Sequence, residues 1–100
     1  VSIGSNVKTI GTNAFYGCKS IKSITIPAKV QTIGTKAFYK CSKLSSITIK
    51  SNVLKSVGSN AFKGISKDAE IRVPKAKITK YKKVLKNKYT KGVTIDRINR

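Results

Sequence analysis

Few side chains in this sequence could carry covalent or acid–base chemistry. There are two cysteines, Cys18 and Cys41, three acids, Asp68, Glu70 and Asp96, and no histidine. General acid–base work needs paired carboxylates or a carboxylate beside an imidazole, and three scattered acids offer neither. Without histidine, neither a hydrolytic triad nor a His-containing zinc site can be assembled. Two thiols without further soft ligands do not hold a metal. No serine or threonine has a base nearby to activate it, and the glycines recur singly instead of clustering into a phosphate loop. The expectation is a chain without catalysis, metal or cofactor, whose work is binding.

Binding then falls to charge and to surface shape. With 22 Lys and Arg against 3 acids, the net charge is +19, so the chain is soluble, self-repelling at low salt and drawn to polyanions. The densest stretch is KAKITKYKKVLKNKYTK at 75–91, where Lys75, Lys77, Lys80, Lys82, Lys83, Lys86, Lys88 and Lys91 stand without one acid. Its apolar residues Ile78, Tyr81, Leu85 and Tyr89 follow at steps of 3, 4 and 4, which predicts an amphipathic helix over 75–91. Pro74 suits the first turn and Gly92 the stop, with a final strand over 93–98. Such a helix either caps the end of a stack or lies on an anionic membrane or partner. In the first case its stripe is committed to the core and the eight lysines remain outside as candidate polyanion contacts. Sequence-specific nucleic-acid readout has no carriers, since arginines are few and aromatics are not interleaved with the lysines.

These residues are positioned by repetition. IGTNAFYGCKSIKSITIP, IGTKAFYKCSKLSSITIK and VGSNAFKGISKDAEIRVP follow one another, with Ile10, Ile33 and Val57 equivalent, as are Phe15, Phe38 and Phe62. The register advances by 23 and then 24 residues, the extra one lying between Ile49 and Val57. Units of this size cannot bury an apolar face alone and stack into one continuous core. Loss of a middle unit is therefore expected to unfold its neighbours.

Within a unit the ITI triplet alternates as a short strand, Ile24 and Ile26 inward and Thr25 outward. Copies at Val1–Ile3, Ile47–Ile49, Ile71–Val73 and Val93–Ile95 are expected to form a parallel sheet, one rung per repeat, with Ile3, Ile26, Ile49 and Val73 in one inward column. The outward residues Ser2, Ser23, Thr25, Ser46, Thr48, Glu70 and Arg72 are the candidate partner contacts; the bland alternative is a solvated sheet. A second short apolar segment, Val7 and Ile10, Val30 and Ile33, Val53 and Val57, ends at Gly11, Gly34 and Gly58, where a positive φ is expected. Thr12, Thr35 and Ser59 then cap a helical turn whose inward face holds Ala14, Phe15 and Cys18. Phe15, Phe38 and Phe62 are expected to stack as a spine, so the aromatics read as core and no exposed aromatic cluster marks a hot spot. Stacking sets Cys18 and Cys41 roughly 5 Å apart with parallel Cα–Cβ bonds, whereas a disulfide needs converging Cβ atoms at about 3.5–4.5 Å. Two free, inward thiols are expected.

The strings IGTNAFYGC and IGTKAFYKC followed by LxxITIP resemble the BspA-type leucine-rich repeat of bacterial surface proteins, over about residues 1–74. The third unit departs from the pattern, with Asp68 where the others have Ile21 and Leu44, and Ile65 in place of the cysteine. The resemblance implies an α/β solenoid: a right-handed leucine-rich repeat superhelix with one short parallel strand per repeat, capped by the C-terminal helix. On this reading residues 1–74 are the solenoid, about three repeats with the first truncated, and residues 75–100 the cap. It further implies a secreted or envelope-attached protein that binds host proteins or other cells. The expected function is a non-enzymatic binding or adhesion module at the bacterial cell surface, meeting a protein or glycan through the sheet face. The alternatives are electrostatic binding to an anionic polymer (wall polymer, glycosaminoglycan or nucleic acid) and a structural spacer. No apolar run is long enough to cross a membrane as a helix. The first residues lack signal-peptide character and match a repeat from its middle onward, so a monomeric segment of a larger protein is expected.

Overall fold

A computed structural model of the chain describes residues 3–98. Its elements run β1 (Thr9–Ile10), β2 (Ser23–Ile26), β3 (Thr32–Ile33), β4 (Ser46–Ile49), β5 (Ser56–Val57), β6 (Glu70–Val73), α1 (Ile78–Leu85) and β7 (Thr94–Arg97), with a short 3-10 turn at Lys75–Lys77 before α1. The ITI alternation makes the larger sheet, parallel and in the order β2-β4-β6-β7. Its register follows the sequence repeat: Ile24 pairs with Ile47 and Ile47 with Ile71, Ile26 with Ile49, and Ile71 with Ile95. Ile24, Ile26, Ile47, Ile49, Ile71 and Val73 are buried. The final strand expected over 93–98 is β7. The copy expected at Val1–Ile3 rests on Val1 and Ser2, which lie outside the described residues; Ile3 is half-buried.

Each repeat contributes two strands, not one. The second apolar segment forms a parallel sheet of its own, β1-β3-β5, with Ile10, Ile33 and Val57 inward. Two apolar positions flanking two polar ones are too short a pattern to announce a strand, yet the neighbouring repeats supply partners for its backbone. The extra residue of the third unit falls before β5. Because Lys55 N–H bonds Gln31 O, Leu54 takes the buried place of Val30, and Val53, expected inward, is exposed.

The expected helical turn is instead a chain of tight turns, hydrogen-bonded from repeat to repeat. Asn13, Phe15 and Gly17 N–H donate to the carbonyls of Thr35, Ala37 and Tyr39, and Lys36, Phe38 and Lys40 to those of Ser59, Ala61 and Lys63. Left-handed residues keep alternate N–H groups pointing along the stack: Asn13, Lys36 and Asn60 at one position, Gly17, Lys40 and Gly64 at the other. Thr12, Thr35 and Ser59 therefore cap no helix. Gly11, Gly34 and Gly58 are not the positive-φ residues either. Their constraint is close approach: a Cβ on Gly34 would lie 2.5 Å from Thr12 N and one on Gly58 2.2 Å from Thr35 N, while Gly11 has nothing within 4 Å.

Along the core, the rings of Phe15 and Phe38, and of Phe38 and Phe62, lie 5.1 Å apart and within 5° of parallel. That separation is close to the strand repeat of a sheet. Phe38 and Phe62 are buried; Phe15 and Cys18, at the open edge of both sheets, are half-buried and Ala14 is exposed.

Helix α1 is much shorter than 75–91 and ends at Leu85, not at Gly92. The backbone has other commitments there. Asn87 is left-handed, Lys88 O accepts from Phe62 N–H at 2.7 Å, and Thr90 Oγ1 accepts from Gly64 N–H at 2.7 Å. The tail thus extends the turn ladder and, through β7, the larger sheet, while α1 lies against β5 and β7. An eight-residue helix without an N-cap is marginal alone; burial of Tyr81 and Leu85 holds it. Among the described residues no helix is long and apolar enough to cross a membrane.

Candidate functional site

The outward residues of the larger sheet are brought into two rows by its register. Ser23, Ser46, Glu70 and Thr94 form one; Thr25, Thr48, Arg72 and Asp96 form the other. Period-2 alternation puts these side chains outside, where all are exposed or half-exposed. Six of them, Ser23, Thr25, Ser46, Thr48, Glu70 and Arg72, are the expected contact residues, and they share one surface. Ser2 lies outside the described residues.

Two shallow hollows lie along this surface. One, of about 330 Å³, is lined by Ser5, Ser23, Thr25, Pro27 and Lys50 among others. The next, of about 260 Å³, is lined by Thr25, Thr48, Lys50, Arg72 and Ile98. Thr25 and Lys50 belong to both, so the hollows adjoin. Arg72 Nε donates to Glu70 Oε1 at 2.7 Å. That bond, and then the negative charge itself, push the guanidinium pKa up; Arg72 also sits beside Asp96 in register. Two rows that begin in hydroxyls are thus joined at Glu70 and Arg72 by a donor and acceptor pair.

The expected polyanion contacts are distributed differently. Lys75, Lys80, Lys82, Lys83, Lys86 and Lys91 are exposed, and Lys77 and Lys88 half-exposed. Lys80, Lys82 and Lys83 ride on α1 with Tyr81 turned inward, whereas Lys86, Lys88 and Lys91 lie beyond it, so the eight do not form one helical face.

Tyr39, which follows the spine residue Phe38, is expected to point outward, and it does, but its pairing with Tyr16 and the role of the Tyr81 hydroxyl were not expected. Tyr16 is 45% exposed and its ring stands 5.3 Å from that of Tyr39, with Lys36 and Lys40 Nζ at 5.3 and 5.5 Å from the Tyr39 ring. Tyr16 and Tyr39 each follow a spine phenylalanine and so face the other way, the two rings lying side by side on the surface. Tyr81, expected only as part of a stripe, meets the backbone at Ser51 and Leu54 through its hydroxyl.

Both cysteines are free. Cys41 is buried, its thiol donating to Phe15 O at 3.0 Å, and burial pushes its pKa up. Cys18 is half-buried. Among the described residues no three His, Cys, Asp or Glu side chains are grouped to hold a metal ion.

No curated protein and no solved structure matches the chain. The family model for the BspA type leucine rich repeat region matches in 6 copies across residues 1–99, so the likeness runs beyond residue 74 and through the tail. Members are typically non-enzymatic repeat modules of bacterial surface or secreted proteins. With its in-register parallel strands, its phenylalanine spine and a family match over nearly its whole length, this chain belongs to the BspA-type leucine-rich repeat family.

Proposed function

We propose that the chain is a non-enzymatic binding or adhesion module of a bacterial cell-surface or secreted protein, meeting a protein or glycan through the outer face of the β2-β4-β6-β7 sheet. One observation carries this reading: two in-register rows of short polar side chains border adjoining hollows that extend over successive repeats. Adjoining hollows lined by hydroxyl donors and acceptors are what a ligand surface requires. In this reading residues 1–74 wind as a right-handed superhelix, the hand taken by about 98% of parallel crossovers, and residues 75–100 close its end. The typical setting of family members, at the bacterial surface or secreted, supports a place outside the cell.

A second reading, electrostatic attachment to an anionic polymer, is favoured by the exposure of six of the eight tail lysines. The two readings differ in salt dependence, since counterion release makes lysine-borne binding fall steeply with ionic strength.

The test is binding to immobilised extracellular-matrix glycoproteins, comparing wild type with the double variant Thr25→Lys, Thr48→Lys. Loss of about tenfold in affinity with an unchanged melting temperature supports the sheet face. Unchanged affinity in the double variant contradicts it.

A further inference from the structure

The charge on the sheet face is opposite in character to that of the chain. None of its lysines occupies an outward strand position; Ser23, Thr25, Ser46, Thr48, Glu70, Arg72, Thr94 and Asp96 fill all eight. Two of the three acids, Glu70 and Asp96, stand there, one bonded to Arg72 and the other beside it in register. Lysines approach the face from the strand ends, Lys22 just before β2 and Lys50 just after β4, and Lys50 reaches both hollows. On a chain of net charge +19, this face is a near-neutral window with a cationic border.

We infer that the sheet face takes an uncharged, hydroxyl-rich ligand, a neutral glycan, lying over Thr25 and Thr48 and fixed at one end by the Glu70–Arg72 pair. The inference rests on the sheet-face reading above and narrows its partner. A polyanion laid along the strand rows would meet both Glu70 and Asp96, while a polycation would be repelled by Lys50, which lines both hollows, and by Arg72. A sugar ring matches what is present: hydroxyl side chains that donate and accept, a carboxylate that accepts from sugar hydroxyls, and a guanidinium that donates to them.

A protein partner fits less well. The face has no large apolar or aromatic anchor of the kind that carries protein interfaces. Its inner strands β4 and β6 are paired on both sides, which leaves them no free edge for an added strand. Pro27 and Ile98, one in each hollow, offer apolar surface on which a sugar's C–H face can rest.

The experiment is an amide-resolved NMR titration of the intact chain with three soluble neutral probes, manno-, gluco- and galacto-oligosaccharides, and with heparin as the anionic probe. The expected result is that at least one neutral probe shifts the amides of Thr25, Thr48 and Arg72. Those shifts persist at about 0.5 M salt, where screening is short-ranged, and vanish in Thr48→Lys, while heparin shifts the lysine-rich tail most and leaves the sheet-face amides unmoved. No sheet-face shift with any neutral probe overturns the inference, as does heparin acting on the sheet face. The outcome is separable from that of the broader reading. If Thr25→Lys, Thr48→Lys still abolishes glycoprotein binding while neutral sugars do nothing, the face binds protein and only the glycan assignment falls.

Discussion

The Tyr81 hydroxyl donates to Ser51 O at 2.7 Å and accepts from Leu54 N–H at 3.2 Å. The loop between β4 and β5 carries the one residue by which the third repeat exceeds the second. Ser51 is itself buried, its hydroxyl bonding Val30 O and accepting from Val53 N–H. The irregularity in the repeat is thus tied to the helix that covers β5. Tyr81→Phe keeps the ring and leaves two buried backbone groups without that partner, for an expected loss of about 1–3 kcal/mol. Denaturant melts check it; a loss no larger than that of Tyr89→Phe contradicts the pin.

The glycines give a sharper contrast. Gly58→Ala must push the backbone of Thr35 away and is expected to cost about 1–3 kcal/mol or more, whereas Gly11→Ala enters open space and should be close to neutral. Thermal melts of the two variants read this directly.

Phe38 is stacked on both sides. Phe38→Ala should cost about 3–5 kcal/mol, well above Tyr39→Ala, whose ring is partly in water. Equal losses in urea melts would mean that the two faces have been assigned wrongly.

Cys41 and Cys18 differ in surroundings, and that difference is chemical. Burial raises the Cys41 pKa, so in the native state it keeps its proton where the unfolded chain has lost it. The sign follows from linkage: above the unfolded thiol pKa of about 8.5 the folded state binds more protons, so stability begins to fall there and goes on falling until pH passes the raised folded pKa. Thiol titration of folded protein should label Cys18 first and Cys41 only on unfolding, and Cys41→Val should remove that part of the alkaline decline. Equal labelling rates at the two sites would contradict the burial difference.

Much of this architecture was legible because it is written repeatedly. Ile24, Ile47 and Ile71 fall at one register and on one face, and one strand found is all strands found. The second sheet was not legible: Thr9–Ile10, Thr32–Ile33 and Ser56–Val57 are two-residue strands stabilised by neighbouring repeats, with no local periodicity to announce them. Glycine chemistry misled for a related reason. Gly34 and Gly58 are needed for backbone approach between repeats, a long-range constraint, while left-handed turns fell on Asn13, Lys36, Lys40 and Asn60. Helix α1 was found but overextended, because Tyr89 fits its spacing and yet pairs with Phe62. The rows of candidate contacts could be read from alternation alone; the hollows along them, and the Glu70–Arg72 bond, depend on the register.

The central claim is that specific binding belongs to the sheet face and non-specific attraction to the tail lysines. Its most direct measurement is affinity for one immobilised glycoprotein ligand as a function of salt, for wild type, for Thr25→Lys, Thr48→Lys, and for Lys80, Lys82, Lys83 and Lys86 all changed to Gln. The sheet variant is expected to lose the salt-resistant part of the affinity, while the lysine variant keeps that part and shows a flatter salt slope. Loss of all binding in the lysine variant, with the sheet variant unaffected, would contradict that claim.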